Sequence, residues 1–336
     1  MFDSMLGLDH RVVFFRELAT MVKSGVSIGE ALGLLETRPG SPELRAAIAH
    51  CSRQVSAGER FSQAMEKYPK VFSPLNTAMV RAGEESGRLD ETLGEAADYL
   101  EREQELRQML SRETFYPKIL IVAVIVIPLA TNVVIAAVTP NAGNPVSVLG
   151  GALLTYLGVF VLIVAAWFAL KHFTSSTQGA EAVDRFKLRV PLIGPIIAQL
   201  AWAKVCRAIA ALYKAGMSSS ESLELAGTSS GNRHIEQTVR GAVKHVQKGT
   251  PLSEALTKSG YVPDLPLRML QTGEETGDID STLGKVADYF EAQSQTSIRR
   301  LSLLIVPIAT VIMAVVVLIM AARAYTGYFD GMFEGG

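Results

Sequence analysis

The densest group of side chains that could do chemistry in this chain is acidic. Gly83 to Glu101 reads GEESGRLDETLGEAADYLE and gathers Glu84, Glu85, Asp90 and Glu91. Gly273 to Glu291 reads GEETGDIDSTLGKVADYFE and gathers Glu274, Glu275, Asp278 and Asp280. Carboxylates that converge on one point bind hard cations, but the calcium loop needs alternating acids ahead of a glycine and a closing glutamate. Neither stretch has that order. Two other roles fit the same letters. In one, Glu84, Glu85 and Asp90 flank a tight turn at Gly87 and Asp90 caps the helix that follows, with Glu274, Glu275, Gly277 and Asp280 repeating the arrangement. In the other, these residues form a surface that docks or couples a partner.

No enzyme chemistry joins them. The chain lacks a phosphate-cradling glycine loop with its lysine, a dinucleotide fingerprint, the paired histidines of a zinc protease and a nucleophile elbow. His10, His50, His172, His234 and His245 occur singly. Cys51 and Cys206 are neither a disulfide framework nor a ligand set, and they fit a reducing compartment. We therefore assign no catalytic residue, cofactor or metal ligand. A net charge of -1 gives no electrostatic footprint for nucleic acid.

What must position these residues is a duplicated scaffold. The two acidic stretches share Gly83/Gly273, Glu84/Glu274, Gly87/Gly277, Asp90/Asp280, Asp98/Asp288, Tyr99/Tyr289 and Glu101/Glu291 at one constant offset, which makes the chain an internal repeat. Upstream, Phe14, Leu18, Met21 and Val22 recur at helical spacing, and Gly25 stops that helix. Ser27 and Glu30 then form a capping box for the next helix. Gly216, Ser218 and Glu221 repeat the stop and the box. Leu44–Val55 and Ile235–Val246 read as third helices, each followed by a glycine, Gly58 and Gly249. Short helices follow through Phe61–Met65 and Leu252–Leu256, the second opened by Thr250-Pro251. After Gly87, Leu93, Ala96, Ala97 and Leu100 mark the apolar face of a long helix. No alternating strand pattern appears, so each copy reads as a bundle of about six short helices.

Three apolar runs, Ile119–Val138, Val146–Leu170 and Leu301–Ala322, carry no charged residue or histidine. Each reaches the roughly 20 residues needed to cross a bilayer as a helix. The expected fold is all-α, with two homologous cytoplasmic bundles and three transmembrane helices. The expected order is a short segment 1–10, first bundle 11–115, span 116–138, external loop 139–146, span 147–171, second bundle 172–300, span 301–323 and external tail 324–336. The N-terminus shows no cleaved signal. Basic residues near the span ends, from Arg107 to Arg300, fall on one side and Arg323 on the other, which puts the bundles in the cytoplasm. Pro128 and Pro307 lie in the first and third spans. They read equally as a shared kink or as two tolerated prolines. Asn132 is the one amide within the first span and reads as an interhelical hydrogen bond rather than an ion site.

Two copies of an R-x-[LI]-A-x-x-x-K-[SA]-G-[VM]-S segment, starting at Arg16 and Arg207, and of a GEE-[ST]-G-x-[LI]-D motif resemble the type II secretion F family. These are inner-membrane platform proteins of type II secretion systems and type IV pili, and the resemblance runs from Arg11 to Tyr325. The chain starts almost directly at the first bundle, without the longer N-terminal extension of many members, like shorter versions from some pilus and competence systems. The resemblance implies a non-enzymatic protein of the bacterial inner membrane. It would contact a hexameric cytoplasmic assembly ATPase, pilins or pseudopilins and other inner-membrane components, and it would form a homo-oligomer. Motion would pass through the two acidic joints. A small transporter or channel subunit and a membrane-bound regulatory scaffold are the competing classes. A transporter needs a polar pathway through the spans, which these sequences do not display.

Overall fold

The computed structural model describes residues 2–37, 40–138, 158, 161, 177–257 and 262–333. All regular structure among them is helical. The first copy consists of α1 (Phe2–Lys23), α2 (Ile28–Glu36), α3 (Pro42–Ser56), α4 (Phe61–Glu66), α5 (Pro74–Ser86) and the start of α6 (Leu89–Val138). After α7 (Thr177–Arg189) the second copy repeats this order. It comprises α8 (Gly194–Lys214), α9 (Ser219–Ser229), α10 (Arg233–Val246), α11 (Leu252–Thr257), α12 (Asp264–Thr276) and the start of α13 (Ile279–Phe333).

The local signals that stop and start these helices behave as their chemistry requires. Gly25 and Gly216 take φ values of 88° and 86°, the left-handed region that a residue with a Cβ avoids. Ser27 and Ser218 then accept from the backbone N–H of Glu30 (3.3 Å) and Glu221 (3.4 Å). In the second box the Ser218 hydroxyl also donates to the Glu221 carboxylate, at 2.7 Å. Ser41 and Asn232 cap the third helices through Leu44 N–H and Ile235 N–H.

Two local expectations need correction. α1 begins at Phe2, not near Arg11, because Leu8 is buried in the core and Asp9 accepts from Gln104 Nε2 at 2.7 Å, which ties the first turns down. Thr250 does not cap the short helix: α11 starts at Leu252, and the Pro251 carbonyl accepts from Ala255 N–H at 2.9 Å. α7 lies ahead of the repeated order, preceding the helix that matches α1. Its Asp184 accepts from Arg233 N–H (3.1 Å), which fixes it to the start of α10.

The chain divides into two compact units, Met1–Leu110 with Asp184–Gln295, and Ser111–Val183 with Thr296–Gly336. Both copies fall in the first. Its core is continuous across them. In the first copy it holds Phe14, Phe15, Phe61 and Phe72 in edge-on and tilted ring contacts, and in the second it holds Trp202, Ile209, Leu283 and Phe290. Burial of such side chains contributes about 1.5–3 kcal/mol each.

The second unit receives the C-terminal parts of α6 and α13. Val122, Val126, Leu303, Val311 and Leu318 are exposed there, an outward apolar surface that water would not favour. Arg299 binds Glu113 at 3.0 Å within this unit. Among the described residues, two helical stretches are long and apolar enough to cross a membrane, Ile279–Val315 and Gly194–Lys214. The second is mostly buried and serves as the central helix of the second copy. α6 continues through position 128 and α13 through Pro307. The expected second span 147–171 and the loop 139–146 lie outside the described residues, apart from helical Gly158 and Val161.

Candidate functional site

The doubled acidic motif is built as a helix stop, a turn and a helix start. α5 and α12 end on Gly87 and Gly277, both left-handed (φ 72° and 77°), and α6 and α13 begin two residues later at Leu89 and Ile279. Gly83 and Gly273 make the return tight. A Cβ on Gly83 would stand 1.8 Å from Thr92 Oγ1 and 3.1 Å from Leu89 Cα, and one on Gly273 would stand 2.7 Å from the Thr282 Cβ. These glycines let the end of one helix press onto the first turn of the next. Asp90 and Asp280 sit inside that first turn and are not its caps. There their charge still meets the positive end of the helix dipole.

Glu84 and Glu274 turn inward. Glu84 Oε1 accepts from Phe61 N–H at 2.6 Å, and Oε2 accepts from Ser62 N–H at 3.3 Å and the Ser62 hydroxyl at 2.5 Å. α4 has Arg60 at its cap position, whose side chain makes no capping bond. A carboxylate from another helix therefore satisfies the free N–H groups of its first turn. Glu274 repeats this on Leu252 N–H, Ser253 N–H (3.2 Å) and the Ser253 hydroxyl. The second copy needs it for the same reason, since Pro251 brings no capping side chain. Glu85 and Glu275 point outward instead, Glu85 reaching Arg60 at 3.6 Å and Glu275 accepting from Gln271 at 3.0 Å. The acids thus separate by role, inward caps and outward charges. Among the described residues no three histidine, cysteine or acidic side chains are placed to hold a metal.

The repeat letters also carry an ion-pair clamp that position-by-position reasoning overlooked. Arg16 of α1 binds Asp98 (2.6 Å) and Glu101 (2.5 Å) on α6. Arg207 of α8 binds Asp288 (2.8 Å) and Glu291 (2.7 Å) on α13. Hydrogen bonds that it donates to Glu101 and then Asp98 hold the Arg16 guanidinium well above its usual range. Burial opposes the charge of Arg207, yet Glu291 and Asp288 outweigh it and raise this guanidinium too. The signal was the coincidence of one basic and two acidic identities in both copies.

The copies meet asymmetrically. α5 packs on α8 and α9 of the second copy. Lys214 reaches Glu95 at 3.5 Å, and the Tyr99 hydroxyl, pushed up to about 12 by burial, hydrogen-bonds Ser229. Beside them lies a cavity of about 270 Å³ lined by Leu75, Glu103, Lys204 and Thr228. Burial lowers the Lys204 ammonium below its usual range, with Glu103 partly offsetting it.

Duplicated helical copies whose long C-terminal helices run into apolar segments define a class of membrane protein that contains its own repeat. The family model for type II secretion system protein F matches residues 14–137 and 205–325, one match per copy, and the chain belongs to this family. It is 32% identical over 336 residues to the type IV pilus assembly protein PilC of Thermus thermophilus, covering 96% of this chain and 82% of that one. It is 30% identical over 314 residues to the type II secretion system protein F of Xanthomonas campestris, covering 89% and 77%. PilC of Myxococcus xanthus is 25% identical over 321 residues, covering 91% and 76%.

Proposed function

We propose that this chain is an inner-membrane platform protein of a type IV pilus or type II secretion system. It couples a hexameric cytoplasmic assembly ATPase to the extraction and polymerisation of pilins or pseudopilins, without catalysis of its own. Membership of the family carries this reading, since the relatives are named for pilus assembly and for type II secretion. The helical copies are the cytoplasmic part and meet the ATPase and other assembly components. The apolar parts of α6 and α13, together with the run at 147–171, are the three spans, and the tail is external. The protein acts as a homo-oligomer.

The physical route for force is short. Each GEE motif joins α5 or α12 to a helix that continues into an apolar segment, so a push on the helical copies has a stiff element to act on. Glu85 and Glu275, the outward acids, are the docking candidates, while Glu84, Glu274, Gly87 and Gly277 hold the joint.

The test is co-purification of the detergent-solubilised full chain with the cognate assembly ATPase. Retention of the ATPase is expected, with a loss when Glu85 and Glu275 are both changed to lysine. No retention by the wild-type chain refutes the coupling role. For topology, a cysteine at Asn144 should react with an impermeant thiol reagent added to intact cells, and labelling only after lysis refutes the orientation.

A further inference from the structure

The contact between the two copies is heterologous: α5 of the first copy seats on α8 and α9 of the second. No comparable packing of α12 on α1 or α2 occurs among the described residues. A repeat joined in this way leaves both halves of its own interface open, one on each copy. Exposure marks both halves. On the second copy Leu265 is 52% exposed, whereas its equivalent Leu75 is 2% exposed and lines the cavity between the copies. On the first copy Leu34 is 54% exposed, whereas its equivalent Leu225 is half-buried in the groove beside α5. Val13, also 54% exposed, stands where the second copy has Lys204.

The groove itself is repeated. Between the copies, Pro74, Thr77, Arg81 and Glu85 of α5 face the hairpin Ala215–Ser218 with Glu221. On the second copy, the equivalent residues Asp264, Leu267, Gln271 and Glu275 line an open groove of about 740 Å³. The groove gains a cation, Arg268, where α5 has Ala78. The first-copy hairpin carries Glu30 at the position of Glu221.

We propose that a second copy of this chain docks head to tail, with the hairpin between its α1 and α2 entering the groove on α12. The internal interface is the template for the external one, so the occupant is identified by what this chain already seats on the same face. One pair differs in sign. The internal Glu95–Lys214 pair becomes Lys285 opposite Lys23, both exposed, so the external junction is weaker than the internal one and suits reversible assembly. The proposal rests on the reading of the chain as a homo-oligomer and specifies its surface.

Two differently tagged full-length chains, one Lys23→Cys and the other Lys285→Cys, are co-expressed and treated in membranes with a short bifunctional maleimide. The native thiols of Cys51 and Cys206 are buried and stay silent. A mixed-tag cross-link for this pair, with none for either cysteine alone, is expected. Charge reversal provides an independent arm. Lys285→Glu or Lys23→Glu alone should raise the oligomer fraction about threefold, and the double reversal should return it to the starting value. An oligomer that cross-links only through identical positions, or ignores both reversals, overturns the head-to-tail surface and leaves self-association standing. A monomer by subunit counting in every variant overturns both.

Discussion

Replacing Glu84 by alanine tests whether the signature acid is a cap or a contact for a partner. The substitution strips an acceptor from Phe61 N–H and Ser62 N–H and from the Ser62 hydroxyl. Two backbone donors losing a charged acceptor cost about 1 kcal/mol each, and the lost charge at a helix N-terminus adds a few tenths. The local cost is therefore about 2 kcal/mol, all of it at the first turn of the six-residue α4. Glu84→Gln keeps one acceptor oxygen and should cost about half as much. The assay is amide hydrogen exchange by mass spectrometry on the solubilised full chain, following the peptide around Phe61. About 2 kcal/mol of local destabilisation corresponds to roughly thirtyfold faster exchange there. Glu274→Ala should do the same at Leu252 and Ser253 and leave Phe61 unchanged. Protection at Phe61 that stays at the wild-type level while ATPase retention collapses would refute the capping role, because Glu84 would then act on a partner and not on α4.

Gly83→Ala should destabilise the chain by about 2 kcal/mol through overpacking against Thr92 and Leu89, visible as a lower thermal midpoint, and Gly273→Ala should parallel it. Arg207→Ala should lower the midpoint more than Arg16→Ala, since Arg207 is 14% exposed against 42% and leaves Glu291 beside a more buried gap. Burial pushes the Cys51 and Cys206 thiols up to about 12, so neither should react with maleimide at neutral pH until the chain unfolds. The same shift has a pH consequence. The folded state retains these protons more strongly than the unfolded one, so stability is full below about pH 9 and falls between there and about 12, measurable by urea titration across that range.

The elements legible in the sequence were those fixed by neighbours in the chain. Gly25 and Gly216 end helices, and Ser27 and Ser218 cap them, because each acts on atoms within three or four residues. The glycine turns at Gly87 and Gly277 belong to the same group. Long-range partners were not legible. Nothing near Glu84 announces that its acceptors serve Phe61 and Ser62, more than twenty residues upstream. Thr250 looked like a cap because its neighbourhood fits one, but a carboxylate from α12 supplies the acceptor and the helix starts past the proline. Asp90 fitted a cap at Gly87 by spacing alone; the tight return allowed by Gly83 starts the helix earlier and leaves it in the first turn. The asymmetry between the copies was also hidden, since their motif letters match and only packing shows which face is covered.

The borrowed caps also bear on how this protein comes apart. A helix of six residues cannot persist in water by itself, because nucleating one turn costs more than so few bonds return. α4 and α11 are therefore conditional on α5 and α12 being docked with Glu84 and Glu274 in place. α4 with α5, and α11 with α12, should each open and close as single cooperative blocks. A load that peels α5 from its neighbours would release α4 in the same event, so each copy yields in one discrete step and not by gradual fraying.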